Sequence, residues 1–70
     1  MLSRGEFAAA VRADAHGGYA RLTAPYLGKD GAPKELVFGI PADQWSKKVL
    51  GETVDDMWKQ YQVEMEGHGG

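Results

Sequence analysis

Two runs of alternating apolar residues, separated by a short turn segment, constrain the possible folds of this chain most strongly. Apolar residues occupy every second position of 20–26 and again of 36–40, which is the period of a half-buried strand. The intervening residues 28–33 include two glycines, an aspartate and a proline, a composition typical of a turn. The pattern predicts an antiparallel hairpin with one apolar face. Helices must cover that face, because an isolated two-stranded hairpin is barely stable.

The register of this hairpin follows from centring its turn. Leu22 then pairs with Phe38, and Ala24 pairs with Leu36 on the same face. Pro25 falls inside the first strand and has no N–H to donate to a neighbouring strand. We therefore expect the first strand to be an edge, or to be bulged, at Pro25.

A capped helix precedes the hairpin in the sequence. Ser3 and Glu6 have the spacing of a capping box, in which each side chain bonds to the backbone of the other residue. An alanine-rich segment follows, and alanine has the highest helix propensity. Gly17 and Gly18 then offer a left-handed helix stop. The sequence therefore predicts a helix over residues 4–15.

The last third of the chain is predicted to be helical. Pro41 suits the first turn of a helix, Gly51 would end or kink it, and Thr53 could cap a second segment. We therefore expect one kinked helix or a helix pair over 41–66, followed by a flexible tail at 67–70. Five apolar residues fall on one face at helical spacing: Val54, Met57, Trp58, Tyr61 and Met65.

The fold expected from these elements is one small α+β domain over residues 1–70, in the order helix, two-stranded hairpin, helix or helix pair. The chain has no cysteine, which excludes disulfides and thiolate metal sites. A chain of this length buries only roughly 60% of its unfolded surface, so a second chain is a plausible source of further stability. The order of elements is similar to that of small phage head–tail joining proteins and small phage inhibitors. We accordingly expect a bacterial or phage protein.

Composition argues against several classes of function. No apolar run approaches the ~18 residues of a membrane span, and the first residues lack a signal-peptide core. We therefore expect a cytoplasmic protein without membrane contact. His16 and His68 lie in a predicted turn and in the tail, where a rigid catalytic site does not normally place its base. We predict no enzymatic activity, no catalytic residues, no cofactor and no metal site.

Nucleic acid binding is not expected either. The net charge is −2, and the basic residues are scattered over several predicted elements, whereas phosphate binding needs a basic stripe. Lys29 and Lys34, at the hairpin tip, are the residues that a nucleic-acid-associated alternative would use.

The aromatic and methionine content instead favours protein–protein interaction, because Trp, Tyr and Met are enriched in interfaces. We expect a small adaptor, inhibitor or assembly subunit that acts through its C-terminal helix, with another protein or a second copy of itself as partner. Tyr61 and Met65 should lie beyond the reach of the hairpin, so that replacing both with alanine abolishes association but not folding. The predicted partner-binding residues are Trp58, Tyr61, Val63 and Met65, with Asp55, Asp56 and Lys59 as a polar rim.

The C-terminal residues suggest an alternative function. The sequence ends in Gly69-Gly70, as do ubiquitin-like protein modifiers and sulfur carriers. Those families open with a hairpin, whereas this chain is predicted to open with a helix. For such a modifier, deletion of Gly70 alone would abolish function.

Overall fold

A computed structural model describes residues 2–66 of the chain. It contains two helices and a three-stranded antiparallel sheet with strand order β1-β2-β3. The α+β class is confirmed, but the expectation of a two-stranded hairpin is wrong. The elements in chain order are α1 (Arg4–Ala10), β1 (Arg12–His16), β2 (Tyr19–Leu27), β3 (Pro33–Pro41), a 3-10 turn (Ala42–Gln44) and α2 (Lys47–Glu66).

Helix α1 begins as predicted but ends five residues early. Both bonds of the capping box form: the Glu6 N–H donates to Ser3 Oγ at 3.2 Å, and the Ser3 N–H donates to Glu6 Oε1 at 3.1 Å. The helix stops at Ala10 because Val11 has an extended backbone, with φ −67° and ψ 130°. Residues 12–15, predicted as helix, belong to β1 instead. Residue types differ in helix propensity by less than about 1 kcal/mol per residue. Pairing with β2 outweighs this preference here.

The two glycines after β1 form a hairpin loop and not the predicted helix stop. His16 pairs with Tyr19, which leaves Gly17 and Gly18 as a two-residue connection between β1 and β2. Gly17 has φ +64°, and a positive φ at the first central residue is what a type II′ hairpin turn requires. Gly17 is therefore needed for the turn of the β1–β2 hairpin.

The predicted register of the second hairpin is confirmed. Leu22 pairs with Phe38 and Ala24 pairs with Leu36. At the two ends of this pairing, the Gly28 N–H donates to the Ala32 carbonyl at 2.9 Å and the Ala42 N–H donates to the Gly18 carbonyl at 2.8 Å. Because antiparallel bonding alternates along a strand, even-numbered residues of β2 bond to β3 and odd-numbered residues bond toward β1.

This alternation explains how β2 accommodates a proline. Pro25 is odd-numbered, so its nitrogen points toward β1, and β1 ends at Arg12 opposite Thr23. The strand is therefore an edge at Pro25, as predicted, and no ladder bond is lost. Pro33 and Pro41, at the two ends of β3, are also odd-numbered and point away from β2.

The C-terminal segment is one continuous helix, which confirms the single-helix alternative, whereas a helix that ends at Gly51 and restarts at Thr53 is wrong. Thr53 Oγ1 donates to the Val49 carbonyl, at 2.8 Å, and does not cap a helix. The cap is Ser46, whose Oγ accepts the Val49 N–H at 3.1 Å. Pro41, expected in the first helical turn, is the last residue of β3.

Both helices pack on one side of the sheet, which we call the inner face. The other side, the outer face, has no helix against it. A single core of six buried residues lies between the inner face and the helices: Phe7, Leu22, Ala24, Ile40, Met57 and Tyr61. Over residues 2–66, neither helix is both long and apolar enough to cross a membrane.

The continuity of α2 makes a prediction about Gly51. Its backbone φ is not positive, and a Cβ added there would meet no atom within 4 Å. Replacing Gly51 with alanine should therefore raise the free energy of unfolding by about 0.5–1 kcal/mol, because glycine disfavours a helix interior by this amount. Urea unfolding monitored by circular dichroism measures the change. A loss of stability would contradict the continuous helix, since it would indicate that Gly51 is a left-handed helix end.

Candidate protein-interaction surface

The predicted partner-binding residues of α2 lie on two different faces of the helix. Trp58, Tyr61 and Met65 are on the inner side, where Tyr61 is buried and the other two pack against the core. Tyr61 is only 2% exposed, so the expectation that it lies beyond the hairpin is wrong. The physical reason is that β2 extends far enough for Tyr26 to pack edge-on against its ring, with 5.4 Å between ring centroids.

The remaining predicted residues are exposed on the outward side of α2. Asp56, Lys59 and Val63 fall on one helical face at spacings of three and four residues, and Val63 is 38% exposed. Asp55 forms an ion pair with Arg4 of α1. The structure therefore brings together the polar rim and one apolar residue, and separates them from the three largest residues of the predicted site.

Tyr61 is the centre of an aromatic cluster that joins both helices to the sheet. Its ring centroid lies 5.1 Å from that of Phe7 in α1 and 5.5 Å from that of Trp58 in α2. Its hydroxyl accepts the Leu2 N–H at 2.8 Å. A buried phenol needs such a partner, and this one fixes the chain ahead of α1 to the C-terminal helix.

The outer face of the sheet carries the largest exposed apolar side chains other than Trp45 and Val63. Tyr19, Leu27 and Val37 are 56%, 62% and 52% exposed. Their odd numbers put them on the side of β2 and β3 opposite to Leu22 and Phe38. With two exposed prolines they form a band along the β2–β3 hairpin, here named the outer strip: Tyr19, Pro25, Leu27, Pro33 and Val37.

The strip is positioned by the sheet. Gly39 lies beside it on β3, and the Tyr19 ring approaches to 3.8 Å from where a Gly39 Cβ would stand. The ring therefore lies across the glycine toward Val37, two residues away on the same face. A glycine covered by a cross-strand aromatic ring is a known stabilising arrangement in sheets.

Charged residues border the strip on its β1 side. Arg21 Nε and Nη2 donate to the two carboxylate oxygens of Asp14, at 3.2 Å and 3.0 Å. This bidentate hydrogen bonding lowers the pKa of Asp14 below its ordinary value. Both residues are exposed, so the pair contributes orientation more than stability. Arg12 extends the charged row on β1, and Glu35 lies next to Pro25 on β3.

Two grooves lie elsewhere on the molecule. The larger, with a volume of about 770 Å³, lies at the hairpin tip between Tyr26, Met65, Lys29 and Lys34. The smaller, of about 370 Å³, lies on the inner face beside β1, which the helices do not cover, and its wall includes Trp45. Four alanines line the smaller groove: Ala13, Ala15, Ala20 and Ala42.

Of the remaining sequence predictions, the turn expected at His16 is wrong because this residue belongs to β1, and the predictions about function are not tested. His16 is an exposed outer-face residue of β1, and within residues 2–66 no three His, Asp or Glu side chains gather as metal ligands would. His68, Gly69 and Gly70 lie outside the described residues, so the alternative of a Gly-Gly-terminated modifier is not tested. Lys29 and Lys34 lie at the hairpin tip as expected, and a role for them in binding nucleic acid remains a prediction.

The outer strip was only partly detectable from the sequence. The predicted register already placed Val37 on the face opposite to Phe38, because neighbouring strand residues alternate sides. Val37 was therefore recognisable from the sequence as an apolar residue on the side away from the helices. Tyr19 and Leu27 lie on the same side, at the two ends of β2. No signal of comparable strength indicated β1, on which the charged border depends.

Comparison with known proteins found no relative of this chain. It matches no protein-family model, no curated protein and no solved structure. Function is therefore inferred from the geometry of the surface.

Because Tyr61 is buried, its substitution by alanine should destabilise the fold, whereas the sequence analysis expected the fold to survive this substitution. Tyr61→Ala should lower the free energy of unfolding by about 3–5 kcal/mol, as other buried aromatic truncations do, which approaches the whole stability of a small domain. Tyr61→Phe should cost about 1 kcal/mol, because it removes only the hydrogen bond to Leu2. Val63→Ala is the matched exposed control and should change stability by less than about 0.5 kcal/mol. Urea unfolding compares the three variants, and a stable, folded Tyr61→Ala variant would contradict the buried position.

Proposed function

We propose that the protein is a small non-catalytic protein–protein interaction module, such as an adaptor, an inhibitor or an assembly subunit, and that it binds its partner through the outer strip. One observation carries this proposal. Both helices pack on the inner face, so the outer face presents Tyr19, Leu27 and Val37 to solvent, each more than half exposed.

The chemistry of the strip is that of a binding surface. Exposed apolar side chains on one face of a sheet gain free energy when a partner removes them from water. Tyrosine supplies large contact area with few rotatable bonds, which is why it is enriched in the energetic centres of interfaces. From Tyr19 to Leu27 the strip runs roughly 26 Å at the rise of a β-strand, a length suited to an interface of modest size.

The border of the strip defines the kind of partner. Arg12 and Asp14 lie on β1 beside the strip, and Arg21 and Glu35 lie on β2 and β3 between its apolar residues, which gives two positive and two negative charges. A partner with an apolar centre and a rim of mixed charge fits this arrangement, whereas a uniformly charged partner would meet repulsion from half of the border.

Rigidity also supports the sheet as the binding element. The strip lies on two nine-residue strands that are paired along their whole length. Binding to a preordered surface loses less conformational entropy than binding to a loop or a tail. The outward face of α2, by comparison, offers Val63 as its one large exposed apolar residue within the described chain.

The test is a quantitative affinity capture from the native host with an N-terminally tagged chain. The variant Y19T/V37T replaces both apolar residues with threonine, which keeps strand propensity. We expect partner recovery to fall at least tenfold, since the variant truncates two of the three large exposed apolar side chains of the strip and tyrosine is enriched among energetically dominant interface residues. The measurement is repeated with the purified partner as a dissociation constant.

V63T is the matched control, because it makes the same valine-to-threonine change on the outward face of α2. It should bind like the wild-type chain. Loss of binding by V63T with retention by Y19T/V37T would return the interface to the C-terminal helix. An adduct that survives denaturation and requires Gly70 would favour the modifier alternative. Retention of the partner by both variants would contradict the outer strip.

A further inference from the structure

The edge of the sheet formed by β1 is a second surface that the outer strip does not use. Among residues 2–66, β1 has β2 on one side and no strand on the other, and all five of its residues are exposed. Its free side is here named the β1 edge. An unpaired strand edge is a template for another strand unless its sequence prevents pairing.

The backbone of the β1 edge has groups available for pairing. Arg12, Asp14 and His16 lie opposite odd-numbered residues of β2, so their N–H and carbonyl groups face β2. The same alternation directs the N–H and carbonyl groups of Ala13 and Ala15 outward, where neither a proline nor a lysine blocks them. Opposite a second strand, an outward residue such as Ala13 can form two backbone bonds, one as donor and one as acceptor.

The side chains of the β1 edge are complementary to themselves. Arg12 and Asp14 lie on the outer face, two residues apart and on either side of Ala13. If a second copy of β1 is laid antiparallel with Ala13 opposite Ala13, each Arg12 faces Asp14 of the other copy. These are non-hydrogen-bonded pairs, in which opposite side chains approach most closely. The arrangement has two-fold symmetry and forms two charge pairs at once.

We propose that a second copy of this chain pairs along the β1 edge in this register, so that two sheets join into one six-stranded antiparallel sheet. Shifting the centre to Asp14 would place two carboxylates opposite each other at the closest separation. Shifting it to Ala15 would bring Gly17, which has a left-handed backbone, into the ladder. The register centred on Ala13 avoids both costs. It places Ala15 opposite Val11, whose N–H already donates to the Ala8 carbonyl, so that only the Val11 carbonyl is available to Ala15.

The inner face supports the same arrangement. Ala13 and Ala15 are small and exposed there, in the groove whose wall includes Trp45, itself 43% exposed. Because a continuous sheet keeps corresponding faces on one side, the grooves of the two copies would adjoin across the two-fold axis. Their apolar linings would then lose water, which adds to the backbone bonds and the charge pairs.

This proposal does not depend on the partner inferred for the outer strip. Pairing along the β1 edge leaves the outer strip of each copy exposed and places two of them side by side. The test of self-association therefore uses the purified full chain alone. Sedimentation equilibrium from about 10 µM to about 1 mM should show the mass rising toward twice the 7.6 kDa of one chain. A mass that stays at one chain over this range overturns the proposal.

Charge reversals test the register. R12D places two aspartates opposite each other and should weaken the dimer about tenfold or more. D14R/R21D exchanges the charges of the Asp14–Arg21 pair but keeps the pair within each chain. It should weaken the dimer equally, because Arg12 then faces an arginine at position 14 of the other copy. The triple variant R12D/D14R/R21D restores every opposite-charge pair and should dimerise like the wild-type chain. Failure of this rescue, or a wild-type constant for R12D, overturns the register and with it the proposal.

A pair of proline substitutions tests the edge itself. A13P removes an outward N–H that makes no bond within one chain, so the fold should survive while dimerisation is lost. E35P is the matched control, because Glu35 has the same outward orientation on the opposite edge of the sheet, and it should leave the dimer intact. Circular dichroism verifies that both variants fold. A folded A13P variant that still dimerises overturns the proposal, whatever the charge variants show.

Discussion

The buried contact between Tyr61 and the chain ahead of α1 is the interaction on which the rest of the fold depends. Helix α1 has seven residues, too few to be stable alone, and it is held by the packing of Phe7 against Tyr61 and Trp58. The Tyr61 hydroxyl bonds the Leu2 N–H and thereby connects elements 59 residues apart. With six residues buried, the core has little redundancy, so the loss of this one ring would weaken the packing of both helices on the sheet.

That use of Tyr61 determines which surfaces remain for other molecules. Most of the apolar stripe of α2 is buried in the core or packs against it. The helix with the strongest amphipathic pattern in the sequence therefore offers few exposed apolar side chains to a partner. The sheet has the opposite character, because its inner face is covered over β2 and β3 while its outer face is free. A small domain of this kind separates its roles: one side of the sheet holds the fold together, and the other side retains Tyr19, Leu27 and Val37 for contact with another protein.

Elements that depend on local interactions could be predicted from the sequence, whereas elements that depend on contacts between distant residues could not. The Leu22–Phe38 register was predictable because alternation and a turn are local features, and so was the Ser3–Glu6 cap. β1 was not, because its two alanines favour a helix and only pairing with β2 makes it a strand. The Gly17-Gly18 loop was visible in the sequence, but a two-glycine segment suits a helix end and a hairpin equally. The burial of Tyr61 could not be predicted, because it depends on the lengths of α1 and β2, and the sequence did not define either length correctly.

The three prolines of the chain share one structural property, since each points toward a side of its strand where no neighbour is bonded. On β3 this leaves the outward edge without donors at Pro33 and Pro41. The N–H groups of Glu35, Val37 and Gly39 still point outward between the two prolines. The unpaired edge of β3 is therefore shortened to its central residues, so a strand that adds there can be bonded over only part of the length of β3.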